Sequence, residues 1–142
     1  MFTETEINLL NSAYQTFIGR THVFDVLSEA KWSNAGIENW VQIEFAVALV
    51  DRDYEVTTVG KRERDCDLLV NDIGIEIRAL TRASFSSLKS AFKDHKKAEL
   101  YFYICKFDEK KWNEFRKYLK EQGYIEIART FNDWIVVLVK KA

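Results

Sequence analysis

A chain of 142 residues is the size of one domain, and 47% hydrophobic with 30% charged residues exclude a disordered or collagen-like polymer. The longest apolar run, Trp134-Ile135-Val136-Val137-Leu138-Val139, is six residues against the ~20 a membrane helix needs, so no bilayer-spanning segment is expected. A net charge of -1 excludes coating of nucleic acid by bulk charge, yet residues 1–60 carry three basic and nine acidic side chains while residues 61–142 carry eighteen and thirteen. That asymmetry is either an uneven solvated surface or a polyanion-facing one built from the second part of the chain. The N-terminus lacks the basic and apolar regions of a signal peptide, so a cytoplasmic protein is expected. Cys66 and Cys105 sit in apolar runs without metal-site spacing and read as buried free thiols.

There is no proline, no repeat and no low-complexity stretch, which supports a single domain over 1–142. Thr3 or Thr5 can cap a first helix bearing Ile7, Leu10, Tyr14, Phe17 and Ile18 at helical spacing, ended by Gly19. Residues 22–32 read as a second helix. Residues 37–52 read as a third, apolar on most sides and expected to be the most buried. The period then becomes strand-like: 54–59 alternates, 66–70 and 75–80 follow as a hairpin, and Asn71-Asp72-Ile73-Gly74 is turn chemistry. Ser84 is placed to cap a helix over 85–98, and the run Leu100 to Cys105, apolar on both faces, should be a central strand. Asp108 caps a helix through Leu119 ending at Gly123, and 124–129 with 134–139 close the chain as two strands. The fold class is therefore mixed α/β, a sheet flanked by helices.

Chemistry concentrates in Asp65-Cys66-Asp67-Leu68-Leu69-Val70 and Ile75-Glu76-Ile77-Arg78. A two-residue turn at Asp72-Ile73 would pair Asp67 with Arg78 and Leu69 with Glu76, putting Asp67, Glu76 and Arg78 on one sheet face. A three-residue loop would place Asp67 on the other face. A carboxylate between two isoleucines is costly unless a cation compensates it. Arg78 can do so in a plain cross-strand ion-pair network; alternatively the two acids, as hard oxygen donors, hold a divalent metal. Asp65 has the parity of Asp67 and competes with it, although the Leu68-Leu69-Val70 run directly follows Asp67. Arg82, Lys89, Lys93 and either Lys96 or Lys97 can form a basic stripe for phosphates, or a solvated helix face. Trp32, Trp40, Trp112 and Trp134 follow the apolar periodicity as core residues, and His22 and His95 lack an evident partner.

A helix with Glu44, a strand, Asp67 opening a second strand, Glu76-Ile77-Arg78 in a third, then a helix and an apolar strand resembles the PD-(D/E)XK, or restriction-endonuclease-like, nuclease superfamily over residues 37–106. The resemblance implies a mixed central sheet flanked by helices, with residues 3–34 as extra N-terminal helices and 107–142 as a helix plus two strands. It implies Mg²⁺, or Mn²⁺ in its place, on Asp67 and Glu76, with Glu44 as auxiliary acid and Arg78 where the family has lysine. It further implies metal-dependent hydrolysis of DNA, with RNA a further candidate, by a homodimer; the basic residues Arg82, Lys89, Lys93 and Lys97 would contact the nucleic acid. Arg78 is a departure with a chemical consequence. A guanidinium stays charged and can clamp a phosphate but cannot accept a proton, so Lys61, Lys89 or Lys93 would have to substitute, or the chain would be a catalytically degenerate nucleic-acid-binding module. A protein-interaction domain, in which the acids only pair with Arg78, is the remaining alternative.

Overall fold

The computed structural model describes residues 1–58 and 66–142. In chain order the elements are α1 (Glu4–Ile18), α2 (Thr21–Glu29), α3 (Asn34–Asp51), β1 (Val56–Thr58), β2 (Leu68–Val70), β3 (Ile73–Ala79), α4 (Ser86–Asp94), β4 (Leu100–Lys106), α5 (Glu109–Glu121), β5 (Tyr124–Phe131) and β6 (Trp134–Lys141). The six described strands form one mixed sheet in the order β1-β2-β3-β4-β6-β5. Only β3 and β4 run parallel; the crossover between them carries α4.

Helix α1 starts where Thr3 closes a capping box with Glu6, two N-terminal N–H groups being satisfied reciprocally. Asp108 caps α5 through the Lys111 N–H at 2.9 Å. Strand β4 is apolar on both faces because both are covered: Leu100, Phe102 and Ile104 enter the core under α1 to α3, while Tyr101, Tyr103 and Cys105 enter the core under α4 and α5. Trp134, Val136 and Leu138 of β6 join the first core, and Ile135, Val137 and Val139 the second. Trp40 packs against the first core and Trp112 belongs to the second, whereas Trp32 is exposed, a correction to its expected place.

Several expectations change. Helix α3 is not buried all round: Ile37, Val41, Phe45 and Leu49 face inward, but Ile43 and Val47 are 62% and 55% exposed, because α3 lies on the outside of its layer. Helix α4 stops at Asp94 instead of reaching 98, so Lys96 and Lys97 leave the helical stripe. Its N-cap position is Phe85, without a side-chain cap bond; Ser84 Oγ stands 3.5 Å from the Ser86 nitrogen. Strands β1 and β2 are shorter than expected, and the end of the first at Val59 lies outside the described residues.

The hairpin turn falls at Asn71-Asp72, not at Asp72-Ile73. Both central residues have positive φ, 48° and 67°, which Asn and Asp tolerate and β-branched Ile73 does not. Val70 therefore pairs with Ile73 and Leu69 with Gly74, so Leu69 is not opposite Glu76 and Asp67 is not opposite Arg78.

Candidate functional site

Even with that change of register, the three residues converge. The β2–β3 ladder ends at the Leu68–Ile75 pair; beyond it the Asp67 N–H donates to the Ile75 carbonyl at 2.9 Å. The Asp67 carboxylate then accepts the Ile77 N–H at 2.8 Å through Oδ2, taking the place of a ladder carbonyl. Asp67 is thereby fixed beside β3. Glu76 and Arg78 alternate along β3 in parallel register with Tyr101 and Tyr103 of β4. A cleft of about 380 Å³ is lined by Asp67, Glu76 and Arg78 together with Glu38, Gln42 and His95.

Glu76 is 2% exposed. A buried carboxylate needs compensation, and His95, where α4 ends, brings its Nδ1 to 3.2 Å from Glu76 Oε2, an ion pair when the imidazole is protonated. The Arg78 guanidinium faces Glu38 of α3 instead, Nη1 to Oε2 being 3.6 Å. Burial raises the Glu38 carboxyl above its ordinary value and the Asp67 charge adds to the rise, opposed by Arg78 and a hydrogen bond from the Ala79 backbone. Arg78 Nε is buried and finds no acceptor among the described residues. Such a donor costs about 1–3 kcal/mol, a cost that a bound anion would remove.

Glu44, the expected auxiliary acid, is not in this cleft. It pairs with Arg20 at 3.3 Å and lines a separate cavity with Gln15 and Thr16. Glu38 of the same helix lines the cleft instead, and His95, for which the sequence offers no evident partner, meets Glu76. The basic residues divide. Arg82 and Lys89 line a different pocket, between the β3–α4 turn and α5. Lys93 is exposed on α4, and Lys97 is exposed just past its end. Asp65 and Lys61, the alternative ligand and the substitute base, lie outside the described residues. Cys105 is a buried free thiol, as expected, pushed up to about 12 by burial; Cys66 is likewise free and buried at the cleft wall.

Among the described residues no three His, Cys, Asp or Glu side chains gather closely enough to hold a metal by themselves. The donors present, Asp67 and Glu76, are hard carboxylates of the kind Mg²⁺ takes together with waters and backbone carbonyls. No helix among the described residues is long and apolar enough to cross a membrane. The fold and cleft define a mixed α/β protein with an acidic and basic constellation at the parallel β3–β4 junction. No protein family, curated protein or solved structure matches the chain.

Proposed function

We propose that the chain is a metal-dependent phosphodiesterase acting on DNA, built as a restriction-endonuclease-like domain. The observation that supports this reading is the meeting of Asp67, Glu76 and Arg78 in one cleft, within an α3-β1-β2-β3-α4-β4 succession whose strands are antiparallel up to β3 and parallel from β3 to β4. Mg²⁺ held by Asp67 and Glu76 would supply Lewis acidity and a water of lowered pKa. Asp67 is oriented by the Ile77 N–H, and His95 braces Glu76. Arg78, with its unsatisfied Nε, is suited to take a phosphate oxygen. Glu38 holds the same guanidinium in place, a role the resemblance gave to no residue. One cleft per chain cutting two strands calls for a homodimer, and sedimentation of the purified chain checks that.

The test is cleavage of supercoiled plasmid and of a branched duplex with Mg²⁺ or Mn²⁺. Cutting by the wild type that Glu76→Gln lowers by at least about 10³-fold is the expected result. One specific observation favours a second reading, a catalytically silent nucleic-acid-binding module: Arg78 is engaged by Glu38 and cannot take a proton. On that reading the wild type is silent, Arg78→Lys gains metal-dependent cutting, and both bind DNA. Absence of cutting and of DNA affinity from all three proteins would overturn both readings and leave a protein-interaction domain.

A further inference from the structure

The β3–α4 turn and the first turns of α4 and α5 border an open groove, of about 390 Å³, lined by the exposed Arg82, Lys89 and Lys111 with Ser84, Ser86 and a single carboxylate, Glu114. None of the three cations forms an ion pair with Glu114. The Arg82 guanidinium has no side-chain partner among the described residues, Lys89 Nζ lies over the Tyr118 ring at 4.3 Å, and Lys111 Nζ donates to the Ala83 carbonyl at 3.0 Å. Arg20, Arg116 and Lys140 find carboxylates in Glu44, Glu126 and Glu6, whereas these three cations meet only a ring and a backbone carbonyl among the described residues. Three like charges in one groove repel one another unless an anion joins them.

The wall of this groove is held in place. The Tyr103 hydroxyl, from the buried centre of β4, donates to the Ser84 carbonyl, and Lys111 holds the neighbouring Ala83 carbonyl, so two consecutive backbone groups are tied to different elements. The N-cap residue of α4, Phe85, makes no side-chain cap bond and the Ser86 N–H has only the Ser84 Oγ at 3.5 Å, so the positive end of the helix dipole lies beside the cations. The groove also lies at the carboxyl end of β3, where a parallel strand turns into its crossover helix.

We propose that this pocket binds a phosphoryl group, with Arg82, Lys89 and Lys111 as counter-charges and the hydrogen-bonded Ser84–Ser86 hydroxyl pair, 3.1 Å apart, offering one further donor. Its net positive lining suits a dianionic phosphate group, whether the terminal phosphomonoester of a nucleic-acid strand or free inorganic phosphate. The inference does not rest on the chemistry of the acidic cleft.

The experiment titrates the full chain, with EDTA present so that cleavage plays no part, using inorganic phosphate and a single-stranded oligonucleotide carrying either a 5′-phosphate or a 5′-hydroxyl. Saturable phosphate binding, weakened about tenfold or more in Arg82→Gln and in Lys89→Gln and strengthened in Glu114→Gln, is expected. Preference for the 5′-phosphorylated strand over the hydroxyl form identifies a strand end as the source. Equal affinity for the two strands with phosphate binding retained identifies the free anion. Thermal unfolding of each variant separates loss of the site from loss of the fold. No saturable phosphate binding, or binding unchanged in the folded Arg82→Gln and Lys89→Gln variants, overturns the proposal.

Discussion

Glu6 shows how one side chain serves two elements at once. Its Oε1 accepts the Thr3 N–H at 2.8 Å, completing the α1 cap, and the Lys140 ammonium at 2.7 Å, tying α1 to the end of β6. Burial pushes the carboxyl upward, but Lys140 and Thr3 outweigh it and hold it below its ordinary 4.5. A depressed carboxyl contributes stability that is present above the unfolded value and lost as the pH falls through the folded one. Glu6→Gln should therefore cost about 1 kcal/mol at neutral pH, with the two proteins converging once the pH is well below 4.5; urea unfolding at several pH values measures it. The same local logic made Asp67, Glu76 and Arg78 legible, since acids beside apolar strand residues stand out in a sequence. Glu38 and His95 did not stand out. Two glutamates six residues apart on α3 point to different sides of the helix, and only packing decides which meets the sheet. His95 reaches Glu76 because α4 stops at Asp94, four residues before its periodicity fades.

The elements that bring the site together are the hairpin and β4, and the hairpin is where a local change has the widest effect. Asn71 holds φ of 48°, and its Oδ1 accepts the Glu55 N–H at 2.9 Å, so it sets the turn and anchors the lead into β1. Asn71→Ala loses that bond and strains the left-handed backbone, for an expected loss of about 1–2 kcal/mol. Asn71→Gly keeps the backbone freedom and should lose less; equilibrium unfolding ranks the two. Most elements were readable from period alone: α1, α5, β4 and the closing hairpin fall within a residue or two of their expected bounds. What could not be read was the register. Shifting the turn by one residue shifts the pairing by two and keeps the face of every side chain, so the apolar pattern is satisfied by either turn and only the cost of positive φ at Ile73 separates them. The outward row of α3, Ile43, Val47 and Val50, misled the expectation of burial for a related reason: apolar residues all round a helix need cover on every side, and α3 packs on the sheet with one.

Across the whole molecule, the uneven charge along the chain becomes a difference between layers. The acidic first part builds α1 to α3 on one side of the sheet, and the basic second part supplies α4 and α5 on the other. A polyanion is repelled by the first layer and attracted to the second, so contacts to DNA should come from Lys93 and Lys97 as well as from Arg82 and Lys89, and not from Arg52 at the end of α3. Each phosphate contact releases counter-ions and adds about 0.9 to the slope of log affinity against log salt. Lys93→Gln and Lys97→Gln should each make the slope shallower by about that amount, while Arg52→Gln leaves it alone. Fluorescence anisotropy with a labelled duplex, in EDTA over a range of salt, reads all three. An equal loss of slope in Arg52→Gln would mean that both layers attract DNA equally and that the division of charge by the sheet does not steer it. A loss confined to the α4 and α5 layer puts the duplex on the side of the cleft where His95 at the end of α4 meets Glu76, across from Glu38 and Gln42 of α3.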